Sequence, residues 1–500
     1  MRTVAALSVS VVLCWAGSPI SGEGVKDGQA RWPQFRGPRA QGIGRDGLRL
    51  PAQLKHVIWR TALPAGHSSP CIWDDHIYVT GFDKQAKKLE TICLNRLSGE
   101  ILWRQAAPTD AIENVHVLNT PASSTPACDE EQVYVYFGSY GLLCYSKDGE
   151  FKWKRPLQPI LTGFGSGTSP AVAGDLVLLN SGIGREKLSL LAIDRRTGKT
   201  VWQQDRLRGT ATGLWSTPVV RHGEFGDEVI VAGGRQVAAY RLTDGALRWQ
   251  VSGLPVISLS TPALGDGMIF LTLTNRVGDL DENIVKLPAF DELLKKYDKN
   301  KDGKLSVDEL PDDLVFFTHG RSDKVGDWAK VREEVSRFDK DEDKALSRQE
   351  WQQMLEAMNK MTSSMQIAVA GIRPEGNTGK ARVAWKETKS VPEVPSPLYY
   401  EGRVYLVSDR GFVTCRDAQS GKEIYRERLG GRGASSSSPI LGDGKIYVGT
   451  EGGVLVVFKP GDRFEVLARN DLMEGIVATP ALVDNKIYVR TSEHLYAFGE

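Results

Sequence analysis

Short apolar runs alternate with polar turns along the chain, and the alternation repeats. In residues 169–202, a Ser-Pro pair precedes the apolar run 176–179, and a later apolar run ends at a Thr-Gly-Lys turn before Val201 and Trp202. Proline suits the first position of a strand, apolar and β-branched runs suit buried strands, and glycine supplies the positive φ of a tight turn. The unit predicts a small antiparallel sheet of four strands.

This pattern occurs eight times. Each unit opens on a Ser-Pro or Thr-Pro pair, whose first residues are Ser69, Thr125, Ser169, Thr217, Thr261, Ser396, Ser438 and Thr479. A repeat of roughly 40–45 residues with four strands is typical of a β-propeller. The last unit lacks its Trp strand, whereas residues 56–59 precede the first unit and end in Trp59. We predict an all-β, eight-bladed propeller of four-stranded antiparallel blades in which residues 56–59 close the ring.

The signature Ala-x-Asp-x-x-Thr-Gly-x-x-x-Trp resembles the pyrroloquinoline-quinone (PQQ) type, or quinoprotein, propeller repeat. Its best matches are residues 192–202 and 239–249, and the resemblance covers most of residues 55–500. It implies that the repeated Trp residues pack blade against blade. Residues 32–38, Trp-Pro-Gln-Phe-Arg-Gly-Pro, are similar to the lead-in of exported bacterial proteins with this repeat. That similarity implies a lead-in over residues 23–54 that lies along the propeller before the first blade.

Residues 1–22 have the pattern of a secretory signal peptide. Arg2 is followed by the apolar run 4–15, which is too short to span a bilayer, and then by small residues. We therefore expect an exported protein, periplasmic or extracellular, with no membrane span. The net charge is +1 and no basic cluster occurs, so binding to nucleic acid is not predicted. A monomer is expected.

Five cysteines follow this leader: Cys71, Cys93, Cys128, Cys144 and Cys415. An odd number cannot all pair within one chain, so a disulfide framework is not predicted. Cys93, Cys144 and Cys415 occupy the position at which other repeats carry Ala192 or Ala239. They are expected to be small buried core residues.

The fifth unit is interrupted by about 90 residues whose composition is charged and helix-forming. Residues 281–360 contain 20 Asp and Glu against 15 Lys and Arg, a net charge of about −5. We predict that residues 276–365 form a small helical domain inserted in blade five, between propeller segments 55–275 and 366–500.

Within the insertion, residues 298–309 fit the EF-hand calcium loop at every coordinating position. The predicted ligands are Asp298, Asn300, Asp302, Lys304 (through its carbonyl), Ser306 and Glu309. Gly303 occupies the position of the sharp turn, and the apolar spacing of residues 290–297 predicts the entering helix. We predict a calcium site here, with Leu305 pairing to a partner loop.

The partner loop is predicted at residues 339–350. Its ligands are Asp339, Asp341, Asp343, Ala345 (through its carbonyl), Ser347 and Glu350. Lys344 stands where glycine is expected, and a non-glycine residue in the left-handed region costs about 1 kcal/mol. Weaker calcium binding is expected, with a non-binding structural partner as the alternative.

The loops that precede each Ser/Thr-Pro pair are polar and rich in glycine. Such loops meet at one end of a propeller's channel, so some of their side chains are candidates for contact with a ligand or peptide. The candidates are His67, Ser166, Trp215 and Ser258. The alternative is that these residues cap backbone groups where strands begin.

We therefore predict a non-enzymatic, calcium-binding propeller that acts as a scaffold, interaction or ligand-binding module. Its partner is expected to be another protein or a small ligand on one face. One alternative is a PQQ-dependent dehydrogenase that oxidises alcohols or sugars. Quinoprotein alcohol dehydrogenases carry an adjacent Cys pair against the cofactor, and no two cysteines here are adjacent. A second alternative is a carbohydrate or small-ligand binder at the channel mouth.

Overall fold

The computed structural model describes residues 30–109, 111–116, 119–159, 165–182, 188–206, 215–233, 236–255, 257–274, 287–316, 330–364, 367–376 and 378–499. The predicted signal peptide, residues 1–22, lies outside these residues. In the described part of the chain, no helix is both long enough and apolar enough to cross a membrane.

Eight antiparallel blades of four strands each follow one another around a ring, one for each predicted repeat, and the lead-in strand Arg31–Trp32 joins the sheet of blade 1 as a fifth strand. Blades 1 to 4, written from the innermost strand outwards, are Cys71–Trp73, His76–Asp83, Lys88–Asn95 and Ile101–Ala106; Ala127–Cys128, Gln132–Phe137, Gly141–Ser146 and Phe151–Pro156; Ala171–Ala173, Leu176–Ser181, Leu188–Asp194 and Thr200–Arg206; and Val219–Arg221, Glu228–Gly233, Gln236–Arg241 and Leu247–Ser252. Blades 5 to 8 are Ala263–Gly265, Met268–Thr274, Ile367–Pro374 and Ala381–Glu387; Leu398–Tyr400, Arg403–Val407, Phe412–Asp417 and Glu423–Arg428; Ile440–Gly442, Lys445–Gly449, Val454–Lys459 and Glu465–Asp471; and Ala481–Val483, Lys486–Arg490 and His494–Phe498 with Val57–Ala62.

The eighth blade takes its outer strand from the beginning of the chain. Val57–Ala62 pairs antiparallel with His494–Phe498, and Trp59 lies opposite Ala497. The prediction that the N-terminal segment closes the ring is confirmed. Closure of this kind leaves no open blade at which the ring could separate.

The repeated Trp residues pack against the turn glycine of the following blade. Trp153 donates its indole N–H to the carbonyl of Arg195 at 2.9 Å, and a Cβ at Gly198 would lie 2.7 Å from the Trp153 ring. The same Trp–Gly contact recurs for Trp59 with Gly99, Trp103 with Gly149, Trp202 with Gly245, and Trp385 with Gly421. This contact confirms that the Trp residues pack blade against blade, and it explains why the repeat couples a glycine to a Trp.

The substitution Gly198→Ala is expected to destabilise the protein more than Gly174→Ala. Both glycines have positive φ, 70° and 57°, so alanine is strained by about 1–2 kcal/mol at each position. A Cβ at Gly174 meets no atom within 4 Å, whereas at Gly198 it must displace Trp153, which adds about 1–3 kcal/mol. Thermal melts of the two variants measure the difference. Equal melting temperatures would contradict the docking role of Gly198.

The three cysteines predicted to be core residues are buried. None of the three is exposed to solvent, and each lies opposite an aromatic residue of the neighbouring outer strand. The pairs are Cys93 with Trp103, Cys144 with Trp153, and Cys415 with Tyr425. The small side chain leaves room for the large aromatic ring, as Ala192 does for Trp202. This prediction is confirmed.

The lead-in crosses the end of the channel instead of lying along the propeller. It starts at blade 1, where Arg31–Trp32 pairs with the innermost strand. Its carbonyl and side-chain amide oxygens then accept hydrogen bonds from backbone N–H groups of other blades. Each donor lies three residues after the Ser or Thr that opens its repeat, and the donors are Cys128, Val172, Leu264 and Leu441. Leu48 and Leu50 end the crossing in the same buried apolar cluster as Leu482 of blade 8. The lead-in thus supplies partners to inner-strand N–H groups that face the channel.

Two large side chains anchor this crossing. Trp32 and Arg36 have no solvent exposure. The Arg36 guanidinium donates to the carbonyls of Pro397 at 2.6 Å and Gln41 at 3.1 Å, and burial lowers its pKa to about 9. The lead-in is therefore packed as tightly as the blades.

The inserted segment lies between the second and third strands of blade 5. It contains α1 (Phe290–Tyr297), α2 (Val331–Phe338) and α3 (Arg348–Ser364), which share a buried core. Two short strands, Leu305–Ser306 and Ala345–Leu346, pair so that Leu305 lies opposite Leu346. The helix α1 coincides with the segment whose apolar spacing predicted a helix.

Candidate functional site

A cavity of about 250 Å³ lies within the ring of blades. All eight Ser or Thr residues that open the repeats line it: Ser69, Thr125, Ser169, Thr217, Thr261, Ser396, Ser438 and Thr479. We call these residues the hydroxyl ring. Phe35 of the lead-in also lines the cavity. His67, Asn119 and Trp215, which also line it, belong to loops that enter the innermost strands, so the cavity lies at that end of the channel.

Hydrogen bonds join the members of the hydroxyl ring from blade to blade. The backbone N–H of Ser69 donates to Thr125 Oγ1, that of Thr125 to Ser169 Oγ, and so on around the ring. Seven of these steps are formed among the described residues, with N···O distances of 2.9–3.1 Å. Each of the seven accepting hydroxyls takes one such bond and keeps its own proton to donate. The repeat therefore needs a hydroxyl at this position for blade contact, and the cavity gains a circle of hydroxyl donors.

Two of the four residues predicted at the channel mouth line the cavity. These are His67 and Trp215, whereas Ser166 and Ser258 are not among the lining residues. Ser258 Oγ donates to the carbonyls of Ser260 at 3.1 Å and Thr272 at 2.9 Å. It therefore caps backbone groups, which is the alternative that the sequence left open.

Ser166 binds a buried carboxyl group instead of facing the cavity. Its hydroxyl and its backbone N–H donate to the two oxygens of Glu113, each at 3.1 Å. Burial raises the pKa of Glu113 to about 7, although the two bonds from Ser166 act to lower it. Glu113 thus titrates near neutral pH, and its partner Ser166 directly precedes the cavity residue Gly167.

His67 is half-buried in the cavity wall. Burial, helped by the nearby positive charge of Arg490, lowers the pKa of His67 to about 4. Arg490 is itself held by the Ser68 carbonyl at 3.2 Å and the Pro64 carbonyl at 3.2 Å. At neutral pH the imidazole of His67 is therefore uncharged and presents a neutral polar surface to the cavity.

The described residues that line the cavity do not fit PQQ. They include no Lys or Arg, and their one acidic side chain is that of Glu393. PQQ carries three carboxylates, and burying anions without a paired cation is strongly unfavourable. The lining suits a neutral ligand that can accept hydrogen bonds from hydroxyl groups.

The first predicted calcium loop fits a cation. Asp298 Oδ1 is buried and has no hydrogen-bond partner, while its Oδ2 accepts the N–H of Gly303 at 3.1 Å. Glu309 closes the loop, because its oxygens accept the N–H groups of Lys299 at 2.9 Å and Ser306 at 3.0 Å. A buried carboxylate oxygen without a donor is costly unless a cation binds it. The six predicted ligand residues thus suit calcium.

The second loop is arranged in the same way but carries two features that oppose binding. Asp339, Asp341 and Asp343 bring carboxylate oxygens within 4.8 Å of one another. Lys344 has φ 68°, the strained conformation predicted from the missing glycine. The ammonium group of Lys304, from the first loop, contacts Asp341 at 3.0 Å and also Asp343. A cation entering this loop must displace that ammonium group, so we expect the second site to be the weaker one.

The insertion begins next to the cavity wall. Thr274, the last residue of the strand before it, exchanges two hydrogen bonds of 2.8 Å with Ile257. Ile257 lines the cavity, and Thr274 also pairs with Ile367, where the chain returns. The inserted domain is therefore attached at the same end of the propeller as the cavity mouth.

This architecture defines an eight-bladed PQQ-type propeller. The family whose model matches residues 90–255 and 331–498 is described as outer membrane protein assembly factor BamB. The match covers more than half of the chain, which therefore belongs to this family. A comparison with curated protein sequences gives no match.

Solved structures share the fold at low sequence identity. The crystal structure of BamB from Moraxella catarrhalis is 12% identical, with 89% of this chain and 99% of that chain covered and a TM-score of 0.51. A europium-containing methanol dehydrogenase is also 12% identical, with 94% and 98% covered and a TM-score of 0.51. At this identity the likeness establishes the fold alone, and it includes both an assembly factor and an enzyme.

Proposed function

We propose that this chain is an exported, non-enzymatic recognition propeller that binds calcium through its insertion. The observation that carries the proposal is the buried Asp298 Oδ1, which has no hydrogen-bond partner. It lies in a loop that carries an oxygen-donating residue at every other ligand position. Asp298, Asn300, Asp302, Ser306 and Glu309, with the Lys304 carbonyl, would hold the ion. Calcium would neutralise the carboxylates and join the loop to the ends of its flanking segments.

The cavity supplies the recognition site of this proposal. The hydroxyl ring offers donors, His67 is neutral, and Phe35 and Trp215 add aromatic surface. This chemistry favours a neutral, hydroxylated ligand such as a sugar, or a polar segment of a partner protein. Because Thr274 bonds to Ile257 in the wall, ordering of the insertion by calcium would act directly on the cavity mouth.

Calorimetric titration of the purified full chain tests the proposal. We expect calcium binding to give a measurable heat, with the first loop as the tighter site. The Glu309→Gln variant should bind calcium at that site with an affinity at least about tenfold lower. Asp308→Asn is the matched control: it removes the neighbouring exposed charge, which does not occupy a ligand position, and should leave binding nearly unchanged.

Two results would contradict the proposal. Equal calcium affinity in the Glu309→Gln variant and the wild type would exclude the first loop as the site. Tight, stoichiometric binding of PQQ, followed in the same calorimeter and by the absorbance of the quinone, would favour a dehydrogenase over a recognition module.

A further inference from the structure

Two cysteines from neighbouring blades lie side by side. The sulfur atoms of Cys71 and Cys128 are 3.1 Å apart, and both side chains are buried. Cys71 belongs to the innermost strand of blade 1 and Cys128 to that of blade 2. The two residues are 57 positions apart in sequence, and their contact joins the innermost strands of the two neighbouring blades.

The backbone on both sides of this contact is held in place. Ser69 N–H, two residues before Cys71, donates to Thr125 Oγ1 of blade 2 at 2.9 Å. The N–H of Cys128 donates to the carbonyl of Pro33 in the lead-in at 2.8 Å. A disulfide bond is about 2.05 Å long, so the sulfurs need to approach by only about 1 Å.

We propose that Cys71 and Cys128 form a disulfide bond when the chain is exported, linking the innermost strands of blades 1 and 2. Exported compartments are oxidising enough to form and keep such bonds. This inference rests on export, which is part of the proposed function, and is independent of calcium and of any cavity ligand.

The reaction consumes one external disulfide, supplied by a protein thiol–disulfide oxidant or by oxidised glutathione. The thiolate of one cysteine attacks a sulfur of that disulfide and releases one external thiol, leaving a mixed disulfide on the protein. The second cysteine's thiolate then attacks the protein sulfur and releases the other external thiol. Both cysteines lose a proton and together lose two electrons, and the external disulfide is reduced to two thiols.

Burial determines when this reaction takes place. Both thiols lie in an apolar cluster, and burial raises the pKa of Cys128 well above its usual value. A buried, protonated thiol is a poor nucleophile and is shielded from reagents. The bond must therefore form before blades 1 and 2 pack, and the folded protein should resist reductants that cleave it readily after denaturation.

Peptide mapping of the exported full chain without reduction tests the proposal. We expect the peptide containing Cys71 to be joined to the peptide containing Cys128. Of the five cysteines in the mature chain, three should react with a thiol reagent in denaturant. Dithiothreitol should raise that number to five only when the protein is unfolded.

Two variants make the result specific. Cys71→Ala should leave four reactive thiols, because Cys128 loses its partner. Cys415→Ala, which removes another buried cysteine, should leave two reactive thiols and an intact bond. Five reactive thiols in the wild type, or a bond that joins a different pair such as Cys93 with Cys128, would overturn the proposal.

The failure of export is distinguishable from the failure of the disulfide. If the chain stays in the cytoplasm of the expression host, the proposed location is wrong. The chain is then refolded from denaturant with oxidised glutathione. Because the unprocessed chain retains Cys14, four of its six cysteines should react when the bond is formed. Six reactive thiols after that treatment would also overturn the disulfide.

Discussion

Replacing Trp32 with alanine is expected to lower the free energy of unfolding by about 3–5 kcal/mol. Trp32 has no solvent exposure, pairs with Ile72 of blade 1, and lies against Gly37, where a Cβ would come within 2.5 Å of its ring. Its removal leaves a cavity where the lead-in enters the channel. Urea denaturation followed by circular dichroism measures the loss.

Phe151→Ala provides the control for the Trp32 variant. Phe151 is an aromatic residue of an outer strand with 54% of its surface exposed, and its loss should change stability by less than about 1 kcal/mol. If the Trp32 variant were no less stable than the Phe151 variant, the lead-in would not be an integral part of the propeller.

Replacing Glu113 with glutamine is expected to change the pH dependence of stability by about 3 kcal/mol. Burial raises the pKa of Glu113 from 4.5 to about 7 in the folded state. Between these values the unfolded chain loses a proton that the folded chain keeps, so this group lowers stability as the pH rises. A shift of 2.5 units corresponds to about 3 kcal/mol. The stability of the variant relative to the wild type should therefore increase by that amount from pH 4 to pH 8.

The comparison with the wild type is essential because His67 has the opposite effect. Its pKa falls from 6.5 to about 4 on folding, so the unfolded chain binds the extra proton and stability rises with pH over that window. The two groups nearly cancel in the wild type. Glu131→Gln, at an exposed carboxylate, is the control and should leave the wild-type profile unchanged. A flat difference between the Glu113 variant and the wild type would contradict a raised pKa.

The propeller could be predicted because its information is local and repeated. Turn glycines, Ser/Thr-Pro pairs and buried apolar runs occur in the same order eight times, and Trp59 stands where the last blade lacks its own Trp. The helix α1 could be predicted for a similar reason, since its apolar spacing directly precedes the loop that begins at Asp298.

The lead-in and the hydroxyl ring could not be placed from sequence, because their partners lie on other blades. Nothing in the sequence around Gln41 indicates that its amide oxygen accepts the N–H of Leu264, 223 positions away. Likewise, Ser69 is recognisable as the start of a strand, but its bond to Thr125 appears only once two blades are adjacent. The recurrence of a hydroxyl at all eight strand starts was the one available signal.

The candidate site could be predicted only in part, because the contacts of its side chains also lie outside their own repeat. Ser166 and Ser258 occur in the expected loops, but the direction of a small polar side chain depends on which buried partner it meets. Phe35 could not be predicted as a cavity residue, because it belongs to the lead-in and reaches the cavity only where the lead-in crosses the channel. Glu113 carried no signal, since its raised pKa arises from burial in the assembled ring.

The path of the lead-in has a consequence for the lifetime of the folded protein. It joins residues as far apart as Arg45 and Asp484, which are separated by 439 positions. Contacts of such long range form late and slowly, because most of the chain must be ordered before these contacts can stabilise the fold. The same contacts must break before any blade can leave the ring, so unfolding is slow as well. Such a protein would survive among proteases for longer than its equilibrium stability alone would allow.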